Sequence, residues 1–273
     1  ERVRAEMLAV VEEHAWDGAW YLRAFDAESR PVGSHANDEG QIFVESQGWC
    51  VLGGAGADNG RARRALESVE ERLLTDNGIL LHQPAFTGYR LELGEITSYP
   101  PGYKENAGIF CHNNTWIHLA WCRLGDGDRA LAYYHSICPS AQTDQDTYRA
   151  EPYVYAQMIA GRDAATPGEA KNSWLTGTAA WTFVTVAQGI LGIVPDYDGL
   201  RIAPCIPTGW DRYRVTRRFR GVTYDIRVSN PDGVSTGVRS LVVDGVTVEG
   251  DLVPLQQGPG PVVVEVVLGG ERR

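Results

Sequence analysis

Apolar residues change their spacing near residue 195 of this chain. Before that point they recur every three or four positions, the period of a helix face; after it they alternate, the period of a strand. Val3, Met7, Val10 and Val11 form one such helical face. Ala62, Ala65, Leu66, Val69 and Leu73 form another, predicting a helix from Asn59 to Thr75 that Asn59 caps and Gly78 follows. Further helices are predicted over 107–124, 128–137 and 172–191, and the last is apolar nearly all round, which predicts burial. Trp20 to Phe25 alternates as a short strand would. Long polar connections, Thr87 to Asn106 and Pro139 to Glu151, join these segments, and connections of that length in a compact domain are usually functional.

Beyond Pro195 the alternating segments 201–206, 213–219, 222–229, 239–243, 246–249 and 262–267 predict strands, with Asp244-Gly245 as a tight hairpin turn. The chain is therefore mainly α with a small antiparallel β domain, divided as 1–195 and 196–273. Helical pairs joined alternately by short and long loops suggest an α/α toroid with its long loops at one mouth.

Composition narrows the function. A length of 273 residues, 43 % hydrophobic and 22 % charged, is that of a globular protein. The net charge of −10 disfavours nucleic acid, since the only dense basic run, Arg212, Arg214, Arg217, Arg218 and Arg220, reads as one side of a strand pair. No run of about 18 apolar residues predicts a membrane span, and no secretory leader is seen. Five cysteines without a CxxC pair read as reduced thiols in a cytoplasmic protein, not as a zinc site. Neither a Walker loop, nor G-x-G-x-x-G, nor a G-x-S-x-G nucleophile elbow is present. Eight Trp and twelve Tyr are enough to line a sugar cleft, though they serve a core equally well.

Three clusters carry candidate chemistry. Residues 92–114 bring carboxylates, tyrosines, Lys104, His112 and three asparagines into one short span, with His112-Asn113-Asn114 set among Ile109, Phe110, Trp116 and Ile117. Asn is a poor helix former and costly to bury unpaired, so this triplet is either a satisfied core network or the lining of a polar cavity. Lys171 to Thr178 opens the 172–191 segment and is either a capped helix start or an anion site made by free N–H groups and hydroxyls, with Gly177 allowing close approach. Glu151 to Gln157 carries two tyrosines, a Glu and a Gln, which suit sugar hydroxyls without being specific to them.

At these clusters the sequence resembles the inverting disaccharide phosphorylases of glycoside hydrolase family 94, cellobiose-acting members above all. The matching stretches are Gln47-Gly-Trp-Cys50, Ser98-Tyr-Pro-Pro-Gly-Tyr-Lys-Glu-Asn106, Gly108-Ile-Phe-Cys-His-Asn-Asn114, 151–161, 169–181, 196–200 and 204–207. The resemblance implies the later part of an (α/α)6 toroid followed by a C-terminal β-sandwich. It implies phosphate contacts at His112, Thr176 and Gly177, and sugar contacts at Glu95, Tyr99, Lys104, Glu151 and Gln157. It implies no cofactor and no metal, inorganic phosphate being a co-substrate, with a disaccharide as the other partner and a homodimer as the intact assembly. The family's general-acid Asp stands in an Asp-Trp-Asn-Asp motif that this sequence lacks; Trp16-Asp17 is followed by Gly18-Ala19. The acid is expected upstream, and the chain alone is expected to be inactive. An inverting hydrolase, with Glu95 or Glu105 as its base, and a noncatalytic carbohydrate-binding fragment are the competing readings.

Overall fold

A computed structural model describes residues 2–258 and 260–270. The chain forms two compact units, Glu1–Leu124 with Ala132–Thr182, and Gly125–Leu131 with Phe183–Arg273. A short upstream stretch, Gly125–Leu131, joins the second unit. Local contacts explain that capture. The Asp128 carboxylate accepts from Thr208 N at 3.1 Å and Thr208 Oγ1 at 2.9 Å. Gly127 approaches so closely that a Cβ there would lie 2.1 Å from the Ile206 carbonyl oxygen.

Seven α-helices occur among the described residues: α1 Arg2–His14, α2 Val44–Gly53, α3 Arg61–Leu73, α4 Cys111–Arg123, α5 Gly127–Ile137, α6 Gln145–Tyr148 and α7 Thr178–Val184. None is long and apolar enough to cross a membrane. Helix α3 buries Ala62, Ala65, Leu66, Val69 and Leu73, the five positions its spacing marks. Helix α1 forms as predicted but turns most of its apolar face outward. Val3, Met7 and Val10 are 58 %, 65 % and 57 % exposed, while Val11 joins Leu8 against Tyr21, Ala55 and Ala65. Helices α2 and α4 pack closely because Gly48 has no side chain; a Cβ there would sit 3.1 Å from Trp116 Cβ.

Two expected helices begin late. Ile109–Phe110 is a strand, β1, and α4 starts at Cys111. The 172–191 segment starts as strand rather than helix. Ala156–Ile159 (β2) pairs with both β1 and Ala170–Ser173 (β3), giving a three-stranded sheet. Left-handed backbone at Asn172 (φ 53°) and Trp174 (φ 72°) ends β3, and α7 follows, continued by a π-helical turn over Thr185–Ile190. The expected all-round burial is also overturned. Thr178, Thr182 and Thr185 make the buried stripe, and Phe183 is exposed. Thr178 turns its hydroxyl inward to donate to Ala156 O at 3.3 Å, whereas the Thr182 hydroxyl is buried without a partner.

The second unit holds a three-stranded sheet, Ile193–Pro195 (β4), Gly199–Ile202 (β5) and Leu252–Pro254 (β10), in the order β4-β5-β10. A five-stranded sheet contains Arg212–Phe219 (β6), Val222–Ser229 (β7), Val238–Val243 (β8), Val246–Val248 (β9) and Val262–Leu268 (β11), in the order β6-β7-β11-β8-β9. The expected purely antiparallel domain is corrected here, because β11 runs parallel to β7, pairing Tyr224 with Val262 and Ser229 with Val267. The cause is topological: β10 crosses into the other sheet, and β11 returns between β7 and β8. Val262, Val264, Val266 and Leu268 are buried along it. The Asp244-Gly245 turn has positive φ at both positions, 47° and 81°, as a two-residue primed hairpin requires. The arginine run divides: Arg212, Arg214 and Arg218 face solvent, whereas the Arg217 guanidinium lies 6.0 Å from the Phe183 ring. Arg214 and Arg227 both grip Asp225, at 2.5 Å and 2.7 Å.

Two buried histidines give stability a pH dependence. Burial pushes His82 down to about 4 and His118 down to about 3. His82 is fixed as a neutral ring, its Nε2 accepting from Ala107 N at 3.1 Å and its Nδ1 lying 3.1 Å from Pro84 O. The unfolded chain protonates both rings near the ordinary value of about 6.5. Their contribution is therefore complete above that pH and is lost as the pH falls towards 4. We expect the melting temperature of His118→Phe to depend less steeply on pH between 7 and 5 than that of the parent; parallel curves would disprove this role for His118.

Candidate functional site

Strand β2 organises the polar residues of the first unit. Gln157 projects from it, and its Oε1 accepts from Lys104 Nζ at 3.2 Å and from Asn172 Nδ2 at 2.9 Å. Lys104 reaches this point from the 87–106 connection, where its own backbone is left-handed (φ 51°). Two expected sugar residues are thus in direct contact. Two others form a second pair: the Tyr99 hydroxyl donates to Glu95 Oε1 at 3.2 Å. Burial and the carboxylates of Glu105 and Glu95 push the Tyr99 phenol up. The connection is held in place by Asn106, whose side chain bonds Phe86 N and O at 2.8 Å each and Tyr99 O at 2.7 Å. Glu151 stands apart from these pairs and accepts from Trp174 Nε1 at 3.1 Å. Its own backbone N–H, Trp174 and Ser173 hold its carboxyl below the usual value.

His112 is the second residue of α4. Its ring meets Phe110 edge-on at 5.7 Å and Trp116 edge-on at 5.6 Å. This enclosure pushes the imidazole below its ordinary value by desolvation, so at neutral pH it is uncharged. The two asparagines after it divide the alternatives left open by the sequence. Asn114 is a satisfied core group: Oδ1 accepts from Ile79 N at 2.6 Å, and Nδ2 donates to Ile79 O at 3.1 Å and Phe110 O at 2.8 Å. Asn113 is buried with an unpartnered Oδ1.

Thr176 and Gly177 precede α7. The Thr176 hydroxyl accepts from Thr178 N at 3.0 Å and lies 2.6 Å from Thr178 Oγ1, so it caps the helix itself. Asn172 and Ser173 do not cap it, because they belong to β3. Gly177 is open: a Cβ there would meet only Trp181 Cδ1, at 3.9 Å. Its carbonyl accepts from Trp181 N at 3.1 Å.

A tryptophan cluster joins these two stretches. The Trp116 ring lies 6.0 Å from Trp181 and 5.2 Å from Trp49, and Trp49 lies 6.1 Å from Trp181. His112 rests on the first of these indoles and Gly177 beside the second, so residues 65 positions apart are placed about one side-chain cluster. Sequence pattern does not mark these indoles as a group. Its one signal is spacing, since Trp116 and Trp181 each follow their partner by four residues. Glu105 is a further residue with an unmet demand: its Oε2 is shielded from solvent and unpartnered.

Residues 1–192 match the glycosyl hydrolase 94 superfamily catalytic domain. The chain belongs to that family. Within this glycosyl hydrolase 94 member, residues 194–270 match the C-terminal domain of glycosyl hydrolase family 65. An N,N'-diacetylchitobiose phosphorylase of Vibrio proteolyticus is 40 % identical over 97 % of the chain and 33 % of that protein. A solabiose phosphorylase of Paenibacillus borealis is 37 % identical over 90 % of the chain and 32 % of that protein. A cellobionic acid phosphorylase of Neurospora crassa is 27 % identical over 85 % and 30 %. The chain spans about one third of the length of these curated relatives.

The division between structural and ligand-facing polar groups is testable in this glycosyl hydrolase 94 chain. Asn114→Ala orphans Ile79 N and two carbonyls, and one buried orphan costs roughly 1–3 kcal/mol. Denaturant unfolding should show a loss of at least that size, and His112→Ala should stay within about 1 kcal/mol of the parent. Equal losses for the two variants would remove the distinction.

Proposed function

We propose that this chain is the phosphate- and sugar-binding part of a disaccharide phosphorylase, and that His112, Thr176 and Gly177 hold the phosphate. The observation that carries the reading is the indole contact: His112 lies against Trp116, Trp116 against Trp181, and Gly177 stands beside Trp181. A neutral imidazole donates one N–H to an anion, and the open backbone at Gly177 leaves room for a phosphate oxygen. The Thr176 hydroxyl adds a donor once it turns from Thr178. Helix α7 is only seven residues long, so direct hydrogen bonds, not its dipole, carry the anion's stabilisation.

The reaction we propose is phosphorolysis with inversion. A phosphate oxygen attacks the anomeric carbon, the glycosidic C–O bond breaks, and a carboxylic acid gives its proton to the departing sugar oxygen. Inverting hydrolases need a second carboxylate to activate water; phosphate is already a nucleophile and needs none. Glu95, Tyr99, Lys104, Glu151 and Gln157 bind the sugars. The acid lies outside the 273 residues, because the Asp-Trp-Asn-Asp motif is absent from them. Five free thiols suit a reducing, cytoplasmic setting. The substrate is a β-linked disaccharide. The Tyr99–Lys104 loop favours cellobiose, and the similarity to a diacetylchitobiose phosphorylase favours its N-acetylated counterpart.

The test is release of sugar 1-phosphate from cellobiose and from N,N'-diacetylchitobiose. It is run with the chain alone and with the chain joined to the upstream segment of a phosphorylase relative. We expect activity only in the second case, since a positioned general acid is worth about 10²–10⁴-fold. In the active form, His112→Ala and Gly177→Val should raise the phosphate KM about tenfold or more and leave the disaccharide KM near its parent value, with Thr176→Val milder. A raised disaccharide KM with unchanged phosphate KM would refute the assignment.

A further inference from the structure

One arrangement occurs at three helix starts. Trp116 stands four residues after His112, Trp181 four after Gly177, and Trp49 four after Glu45. That spacing puts each pair on one helix face. The three starts are also tied side by side. Val44 N donates to Leu81 O and Leu81 N to Gly108 O, at 2.8 Å each, which aligns the beginnings of α2 and α4. Strand β2 pairs with β1 just before α4, and its Ala156 carbonyl accepts from Thr178 at the start of α7. Since the three indoles meet, Glu45 stands to Trp49 as His112 stands to Trp116.

Glu45 is only partly satisfied: its own backbone N–H and the Arg23 charge favour its carboxylate, but one carboxyl oxygen is left over. Its Oε2 is shielded from solvent and accepts no hydrogen bond, and the neighbouring Ser46 Oγ is in the same condition. Desolvation pushes its carboxyl up, Arg23 offsets part of that, and Glu105 adds to it. A groove of about 400 Å³, a volume in the range of small-ligand sites, is lined by Glu45, Ser46, Trp49 and Arg23 and otherwise mainly by aliphatic side chains and Phe25. Trp49 is 48 % exposed, so part of its ring is available to a ligand. Glu45 beside Glu105 repels an anion. One carboxyl oxygen without a donor, the unpartnered Ser46 hydroxyl and a half-exposed indole instead suit a ring that carries hydroxyls on its edge and C–H groups on its face.

We propose that Glu45, with Ser46 and Trp49, forms a further hexose subsite of this site, Glu45 accepting from ring hydroxyls while the apolar face of the sugar lies on Trp49. The proposal rests on the phosphorylase reading above for the class of ligand. No covalent step is involved.

The experiment measures binding of glucose, N-acetylglucosamine and inorganic phosphate to the 273-residue chain by calorimetry and ligand-detected NMR, with circular dichroism as the control for folding. Glu45→Ala should weaken binding of the preferred hexose about tenfold, Trp49→Leu similarly and Glu45→Gln several-fold, with phosphate binding unchanged. Glu45→Gln preserves shape and decides the matter if the alanine variant does not fold. Unchanged hexose affinity in Glu45→Gln and any folded Glu45→Ala would overturn the subsite, and so would a parent chain that binds phosphate but no hexose. Hexose binding that depends on Glu45 in a chain without phosphate affinity would overturn the phosphorylase reading and leave the subsite standing.

Discussion

The edge-on contact between Trp116 and Trp181 sets the geometry on which the candidate site depends. Helices hold side chains rigidly only where they pack. His112 and Gly177 each stand one turn from an indole that is wedged against the others. Moving either indole would move a ligand group with it. The close approach of α2 and α4 at Gly48 is part of the same constraint, since a Cβ there would sit 3.1 Å from Trp116 Cβ and ask the two helices to give by a few tenths of an ångström. Edge-to-face indole pairs add about 0.5–1.5 kcal/mol beyond their buried area, enough to favour one arrangement over looser ones.

Charge is sorted by group. Glu95 and Glu105 both act on Tyr99, and Glu105 and Glu45 repel one another. The proposed anion donors, His112 and the Gly177 turn, stand against the indoles instead. A chain of net charge −10 can hold an anion under these conditions, because hydrogen bonds at short range outweigh a distant, screened field. The sorting also assigns ligands: the carboxyl groups ask for hydroxyl donors, and the imidazole and open backbone ask for an acceptor. A sugar beside a phosphate meets both demands, which is the combination the phosphorylase relatives are named for.

Much of this is legible in the sequence where local pattern decides structure. Helix α3 and strands β6, β7 and β11 bury one face against one core, so their apolar spacing states the element directly. Asp244-Gly245 needs positive φ twice and names its own turn. The 172–191 stretch departs from its apolar pattern because its inward residues are threonines, Thr178 paired to a carbonyl, which no apolar period reveals. The parallel pairing of β11 with β7 is invisible in the sequence because it depends on where β10 crosses, not on any residue in either strand. For the site, His112, Lys104, Gln157, Thr176 and Gly177 stand in polar clusters that the sequence marks by itself, and resemblance alone suggests their roles. The three indoles, the Asn172–Gln157 bond and the unmet demand of Glu45 needed coordinates, since each is a relation between distant segments.

Coupling of the two halves of the proposed phosphate site through the Trp116–Trp181 contact is tested most directly by a double-mutant cycle on phosphate affinity, with Trp116→Leu, Trp181→Leu and both together. If the contact acts as one unit, either single change already loosens the site, and the double variant loses less than the sum of the two by about 0.5–1.5 kcal/mol. Losses that add within about 0.3 kcal/mol would contradict the coupling and mean that His112 and the Gly177 turn are positioned independently.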